Sequence, residues 1–170
     1  MLCFSTSDII SIIQCGISLF VGIFTIFIYL KITKLANSNN DKLNEINKKN
    51  NLFNKLNSDL DRIVDYTIQY PYFDDLEYKS IYQNDLISDN IEKRNTALRY
   101  TAFAIMNFNF VEDLNTFYKG NEQEMEDYCD FKELILDHVN YWNTLQENEK
   151  QGYHKIITLI DNVIKESKNI

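Results

Sequence analysis

The sequence predicts an all-α protein with a single N-terminal transmembrane helix, a polar helical stalk and a C-terminal bundle of four to five helices. The chain has only four Gly and one Pro in 170 residues, whereas sandwiches and barrels of short strands need frequent turn residues. A long uncharged apolar run lies near the N-terminus, and apolar residues at helical spacing follow it. With 45% apolar and 14% aromatic residues, the composition supports a folded core and excludes full disorder.

The first element is the uncharged run of 22 residues from Ile9 to Leu30. As a helix it spans ~33 Å, enough to cross a hydrocarbon core of ~30 Å. A cleaved signal peptide fits poorly, because no basic residue precedes the run and the run is too long. We therefore predict a short tail over residues 1–8 and a transmembrane helix over 9–30.

The charges that flank this segment predict its orientation. Asp8 precedes it without any Lys or Arg, and five lysines follow it: Lys31, Lys34, Lys42, Lys48 and Lys49. The positive-inside rule then leaves the N-terminus outside and the C-terminal side in the cytoplasm. We expect a single-pass protein of the cell (inner) membrane, with the lipid bilayer as its first partner.

Small residues form a stripe on the membrane helix at spacings of 4, 3, 4 and 3, with one amide beside them. Small residues allow helices to approach closely in lipid, and polar side chains can bond across the gap. One interpretation is a homo-oligomer that associates through this stripe, and the other is a chance arrangement of residues common in membrane helices. The association residues are Ser11, Gln14, Cys15, Ser18, Gly22 and Thr25.

Residues 31–62 form the predicted polar helical stalk or linker. Apolar residues recur in a partial heptad, which favours either an intermolecular coiled coil or a helix of the head bundle. Neither Gly nor Pro interrupts the chain from Ile23 to Tyr70. The heptad residues are Ile46, Phe53, Leu56, Leu60 and Ile63.

Residues 63–170 form the predicted head. Pro71 ends the first helix, and acids at 74 and 75 begin a short helix to about Asn84. A capping box at Asp89–Glu92 begins the next helix, which Gly120 ends. The stretch 97–111 of that helix is apolar, as in the central helix of a bundle.

Two further helices complete the predicted head. One runs from about Glu122 to Trp142, with Met125, Leu134 and Leu136 among its inward residues. A polar break with a second capping box at Thr144 and Glu147 follows. The other helix runs from Tyr153 to Lys165 and has a broad apolar face.

Charge divides along the chain. Residues 31–62 carry a net charge of +3 and residues 63–170 a net charge of −10, within a total of −8. The basic part suits anionic headgroups next to the membrane. The acidic head lacks the basic face that phosphate contacts need, so we expect no nucleic-acid partner.

The chain offers little catalytic chemistry. His138 points away from the face that Glu133 and Asp137 share, so no metal site is predicted. Cys129 lies too far from His138 along one helix to be a nucleophile paired with it. No phosphate-binding glycine motif exists. We expect no enzymatic activity, no catalytic residue, no metal and no cofactor.

One set of aromatic residues is a candidate surface for a partner protein. Its members cluster near predicted helix ends, although packing in the core and at its rim is the favoured explanation for them. The set is Tyr70, Tyr72, Phe73, Tyr141, Trp142 and Tyr153.

These observations favour a non-enzymatic, membrane-anchored interaction or regulatory module that presents its head to an unknown cytoplasmic protein. The alternative is a membrane effector or toxin-like component whose oligomerised helix perturbs the bilayer. Gln14 within the small-residue stripe is the feature that supports the alternative.

Overall fold

The computed structural model describes residues 6–168, and in this range the all-α fold is confirmed, with eight α-helices and no strand. Most of the predicted tail, residues 1–5 with Cys3, lies outside the described residues, as do 169 and 170. The side chains of residues 6, 8, 9 and 12 are also not described. The helices are α1 (Thr6–Gln69), α2 (Leu76–Leu86), α3 (Ile91–Phe117), α4 (Glu122–Tyr128), α5 (Phe131–Asp137), α6 (Val139–Thr144), α7 (Glu147–Lys150) and α8 (Ile157–Ser167).

The chain divides into two compact units, residues 1–48 and 49–170, and α1 contributes to both. In the first unit, the large apolar side chains from Ile13 to Leu30 are all exposed, with fractions of 41–73%. Among the described residues, α1 is the one helix long and apolar enough to cross a membrane. The coarse prediction of an apolar N-terminal helix that could span a bilayer is therefore confirmed.

In the second unit, residues 49–69 of α1 belong to the helical bundle. Leu56 is fully buried and Ile63 is 5% exposed, while Leu60 packs against the same core. Phe53 contacts the ring of Phe117 at a centroid distance of 5.6 Å. Of the two interpretations of the heptad, the structure therefore favours a helix of the head bundle for this part of the stalk.

Helix α3 supplies the largest share of the core. Its buried residues share a face roughly 160° wide at 100° per residue, while Leu98 on the opposite face is 53% exposed. Helices α2, α4 and α5 and the 3₁₀ turn Gln151–Tyr153 all contact α3. The buried residues are Ala97, Tyr100, Phe103, Ala104, Asn107, Phe108, Phe110, Val111 and Leu114.

Side-chain caps explain where α2 and α3 begin. The Asp75 carboxylate accepts hydrogen bonds from the backbone N–H groups of Glu77 and Tyr78, as a helix N-cap should. At α3 the cap is Asn90, one residue later than predicted, because its side-chain oxygen accepts from Glu92 and Lys93. Gly120, with φ +78, follows the C-terminus of α3 as expected.

The single helix predicted over 122–142 is instead three helices, α4 to α6. Cys129 is extended (φ −162, ψ 159), and the Asp130 carboxylate caps a new helix by accepting from the Glu133 N–H at 3.0 Å. The break shifts the helical phase, so Phe131 and Ile135 are fully buried, whereas the predicted core residue Leu134 is only half-buried.

The second predicted capping box also lies elsewhere. The Thr144 hydroxyl donates to the Tyr141 carbonyl at 2.7 Å. The Glu149 carboxylate instead accepts from the Gln146 N–H at 2.7 Å, at the start of α7. The final helix begins at Ile157, after the turn Gln151–Tyr153, and buries Ile160, Val163 and Ile164.

The central role of α3 predicts that a charge on its buried face unfolds the head. Ala104 is fully buried, so Ala104→Asp should lower the free energy of unfolding by more than about 3 kcal/mol, since the carboxylate would have no partner. Urea unfolding followed by the fluorescence of Trp142, the single Trp of the chain, measures this. Ala102→Asp, at an exposed position of the same helix, is the control and should unfold like wild type. Equal stability of the two variants would refute the assigned core face.

Candidate functional site

A groove of about 590 Å³ lies between residues 55–66 of α1, residues 70–73 that follow it, and residues 99–113 of α3. We call it the α1–α3 groove. All of it belongs to the second compact unit. Its lining is Lys55, Asp59, Arg62, Tyr66, Tyr70, Phe73, Arg99, Ala102, Phe103, Ile105, Met106, Asn109 and Asp113.

Aromatic rings form the apolar part of the groove. Phe73 stacks on Phe103 with ring centroids 4.6 Å apart and planes at 19°. Tyr70 lies 5.2 Å from Phe73, and Tyr66 stacks on Tyr70 at 6.1 Å. Pro71 places Tyr70 and Phe73 here, since it ends α1 and begins the 3₁₀ turn Pro71–Phe73.

Both carboxylates of the groove have cationic partners within it. The Lys55 ammonium donates to the Asp113 carboxylate, and this hydrogen bond raises the pKa of Lys55. Asp59 lies 3.5 Å from the Arg62 guanidinium and 4.0 Å from Lys55. Three cations and two carboxylates leave the groove with a net charge of +1.

Arg99 is the cation without a carboxylate partner. Among residues 6–168, no Asp or Glu oxygen lies within 4 Å of its guanidinium, which sits over the Tyr70 ring at 5.6 Å from the centroid. Burial raises the pKa of the nearby Tyr72 hydroxyl, and the Arg99 side chain, through a hydrogen-bond interaction and its positive charge, partly opposes this rise. Arg99 thus lies beside two tyrosines and has no carboxylate partner among the described residues.

Of the groove residues, Tyr70 and Phe73 were singled out from the sequence, and none of the charged ones was. The one signal that could have found them is rarity, because the chain has only three arginines, at 62, 94 and 99. Two of these three line the groove. Arg is the side chain best suited to bidentate recognition of anions. In a chain that otherwise uses Lys, each Arg is therefore a candidate anion-binding residue.

The structure does not bring the six residues of the predicted aromatic patch together. Their ring contacts join Tyr70, Tyr72 and Phe73 in one cluster and Trp142 and Tyr153, around Phe108, in another. Tyr141 joins the second cluster through Phe108. Phe73, Tyr141 and Trp142 are buried, at 1%, 7% and 1% exposure, so the idea of one continuous partner patch is corrected. Core packing accounts for these three.

The small-residue stripe of the membrane helix lies on α1, with its described side chains exposed. It borders a shallow apolar groove formed by Cys15, Ser18, Leu19, Gly22, Ile23 and Ile26. A Cβ added at Gly22 would meet no atom within 4 Å. The Thr25 hydroxyl donates to the Val21 carbonyl at 2.8 Å, so its hydrogen is used within the helix. Whether the stripe binds a second helix stays a prediction.

The buried polar groups of the head form a separate cluster. Lys79, 3% exposed, pairs with Asp137 at 3.3 Å. His138, also 3% exposed, lies with Nδ1 3.1 Å from the Tyr100 hydroxyl. Burial, assisted by the Lys79 charge, lowers the pKa of His138 to about 3. His138 is therefore a neutral core residue at pH 7 and accepts from Tyr100 when its proton is on Nε2.

Cys129 and the potential metal ligands in the described part of the head also show no arrangement typical of an active site. Burial raises the pKa of Cys129 to about 11, so its sulfur is a thiol at neutral pH. Among the described residues, no three His, Cys, Asp or Glu side chains converge in a way that could hold a metal ion.

Comparison with known proteins finds no match: no family model, no curated protein and no solved structure matches this chain.

The burial of His138 predicts acid destabilisation of the head. Its pKa is about 3 in the folded chain and 6.5 in the unfolded chain, so below pH 6.5 the unfolded chain takes up a proton that the folded chain does not. The free energy of unfolding should fall by about 2 kcal/mol from pH 7.5 to pH 5. Urea unfolding at the two pH values, followed by Trp142 fluorescence, measures this fall.

Two variants test whether His138 causes this dependence. His138→Asn should lose most of it, while His154→Asn, at an exposed position, should retain it. An unchanged pH dependence in His138→Asn would show that other groups are responsible.

Proposed function

We propose that the chain is a single-pass membrane protein whose acidic helical head acts as a non-enzymatic interaction or regulatory module on the cytoplasmic side. The observation that carries this proposal is the exposure of every large apolar side chain from Ile13 to Leu30. Water would solvate such a surface at high cost, whereas a hydrocarbon core removes that cost.

Charges and aromatic residues at the end of the span support the proposed orientation. Tyr29 and Phe27 suit the headgroup level, where aromatic side chains gather. The Lys31 ammonium lies 5.3 Å from the Phe27 ring. Lys34 continues the basic side. In the inner membrane, this side faces the cytoplasm.

The character of the head supports a binding role over catalysis. His138 is buried and neutral, and Cys129 is a protonated thiol. Neither group is poised for proton transfer or nucleophilic attack near neutral pH. The head instead combines a stable core with the α1–α3 groove.

The stripe supports self-association through the membrane helix. Ser18 and Gly22 leave a shallow groove into which a second helix could fit at close range. The backbone of a second helix could approach closely here, because no atom of the described residues lies within 4 Å of a Cβ placed at Gly22.

The proposed topology predicts the behaviour of reporter fusions in bacterial cells. Fluorescent protein fused after Ile170 should fluoresce in the membrane fraction, and alkaline phosphatase at the same point should be inactive, because the C-terminus would be cytoplasmic. A variant without residues 1–30 should leave the membrane fraction. Active phosphatase would refute the orientation, and a membrane-bound truncation would refute the anchor.

The two glycines of the span provide a matched test of self-association. Gly22→Leu, alone or with Ser18→Leu, should lower dimerisation in a membrane reporter several-fold, because Leu prevents close helix approach. Gly16→Leu adds the same side chain about 140° away from the centre of the stripe, also into open space, and should dimerise like wild type. Equal dimerisation of the Gly22 and Gly16 variants would show that the stripe is incidental.

A further inference from the structure

We propose that the α1–α3 groove binds a small organic carboxylate with an aromatic or alkyl body, with Arg99 holding the carboxylate and the accessible side chains of Tyr66, Ile105 and Met106 contacting the body. The groove belongs to residues 49–170. It would bind such an anion whether or not residues 9–30 span a membrane.

The size of the groove matches a small molecule. Its volume of about 590 Å³ falls within the ~300–1,000 Å³ of ordinary ligand sites. Such sites combine an apolar lining with a few converging polar groups. Here Tyr66, Ile105 and Met106 supply the accessible apolar lining, and Arg62 and Arg99 the polar groups.

The charge of the groove selects an anion. The second unit, residues 49–170, carries a net charge of −9, yet the groove within it carries +1. Its two carboxylates, Asp59 and Asp113, are already paired with Arg62 and Lys55. A ligand anion in the groove would therefore meet two acids that already have cationic partners, and one guanidinium, that of Arg99, without a carboxylate partner in the described part of the chain.

Arg99 is positioned to receive a carboxylate. Its guanidinium lies over the Tyr70 ring and has no carboxylate partner among the described residues, so a ligand carboxylate would form charge-assisted hydrogen bonds with it. Tyr66, Ile105 and Met106 line the same groove, so one ligand can reach both the guanidinium and these apolar side chains.

Binding of 2-naphthoate to the full-length protein tests the proposal. The protein is reconstituted in phosphatidylcholine nanodiscs, and calorimetry compares 2-naphthoate with its neutral isostere 2-naphthamide. We expect saturable binding of 2-naphthoate and affinity for 2-naphthamide at least about tenfold lower, because a hydrogen-bonded charge pair would be lost. Equal affinities, or equal uptake by protein-free nanodiscs, would overturn the proposal.

Two pairs of variants locate the binding. Arg99→Gln should weaken 2-naphthoate binding about tenfold or more, whereas Arg94→Gln, which is outside the groove lining, should not. Ala102→Trp should fill the groove and abolish binding, whereas Leu98→Trp, exposed on the same helix but outside the lining, should leave it intact. Loss of binding in a control variant, or its persistence in both groove variants, would overturn the assignment.

Folding of each variant is checked by the helical circular dichroism signal during urea unfolding, because Ala102→Trp and Leu98→Trp add a second Trp to the chain. Only variants that unfold at the wild-type urea concentration enter the comparison. Arg99→Lys serves as a conservative reference: it keeps the charge and loses the bidentate geometry, so its affinity should lie between those of wild type and Arg99→Gln.

Discussion

The packing of α3 is the interaction on which the head depends. Its wide apolar face meets α2, α4, α5 and the turn Gln151–Tyr153. Large rings dominate this face, and Phe108 packs against Trp142 at a centroid distance of 5.3 Å. Helices α4 and α5 pack directly on α3, and α6 and α8 pack on α5. Close-packed cores tolerate few volume changes, so a change on α3 would also affect these helices.

Among the described residues, the polar groups buried in this core are either ion-paired or uncharged. Lys79 is buried with its ammonium on Asp137, and His138 sits beside Tyr100 without a charge. These arrangements follow from the high cost of burying an uncompensated ion. The exposed apolar residues of α1 pose the opposite problem, because water solvates them at high cost. Under the proposed membrane anchoring, the two parts of the chain would have different solvents.

Local signals in the sequence were sufficient for the fold class and for several helix ends. Asp75 caps α2 and Gly120 follows α3 because caps depend on residues within one turn. The break at Cys129 escaped prediction because it depends on burying Phe131 and Ile135 against other helices, which no local pattern reveals. The α1–α3 groove was missed for a related reason: Arg62 and Arg99 are brought together only by tertiary packing.

The contacts of α1 with the rest of the bundle have a consequence for the order of events during synthesis. The bond from Lys55 to Asp113 joins residues 58 positions apart, and that from Tyr128 to Asn57 joins residues 71 apart. Leu56 and Ile63 leave the ribosome long before α3 and α4 can cover them. Late closure of such distant contacts slows folding and exposes apolar surface meanwhile. Residues 49–69 would therefore keep an uncovered apolar face until α3 and α4 are made, and an interrupted translation product would present this face to solvent.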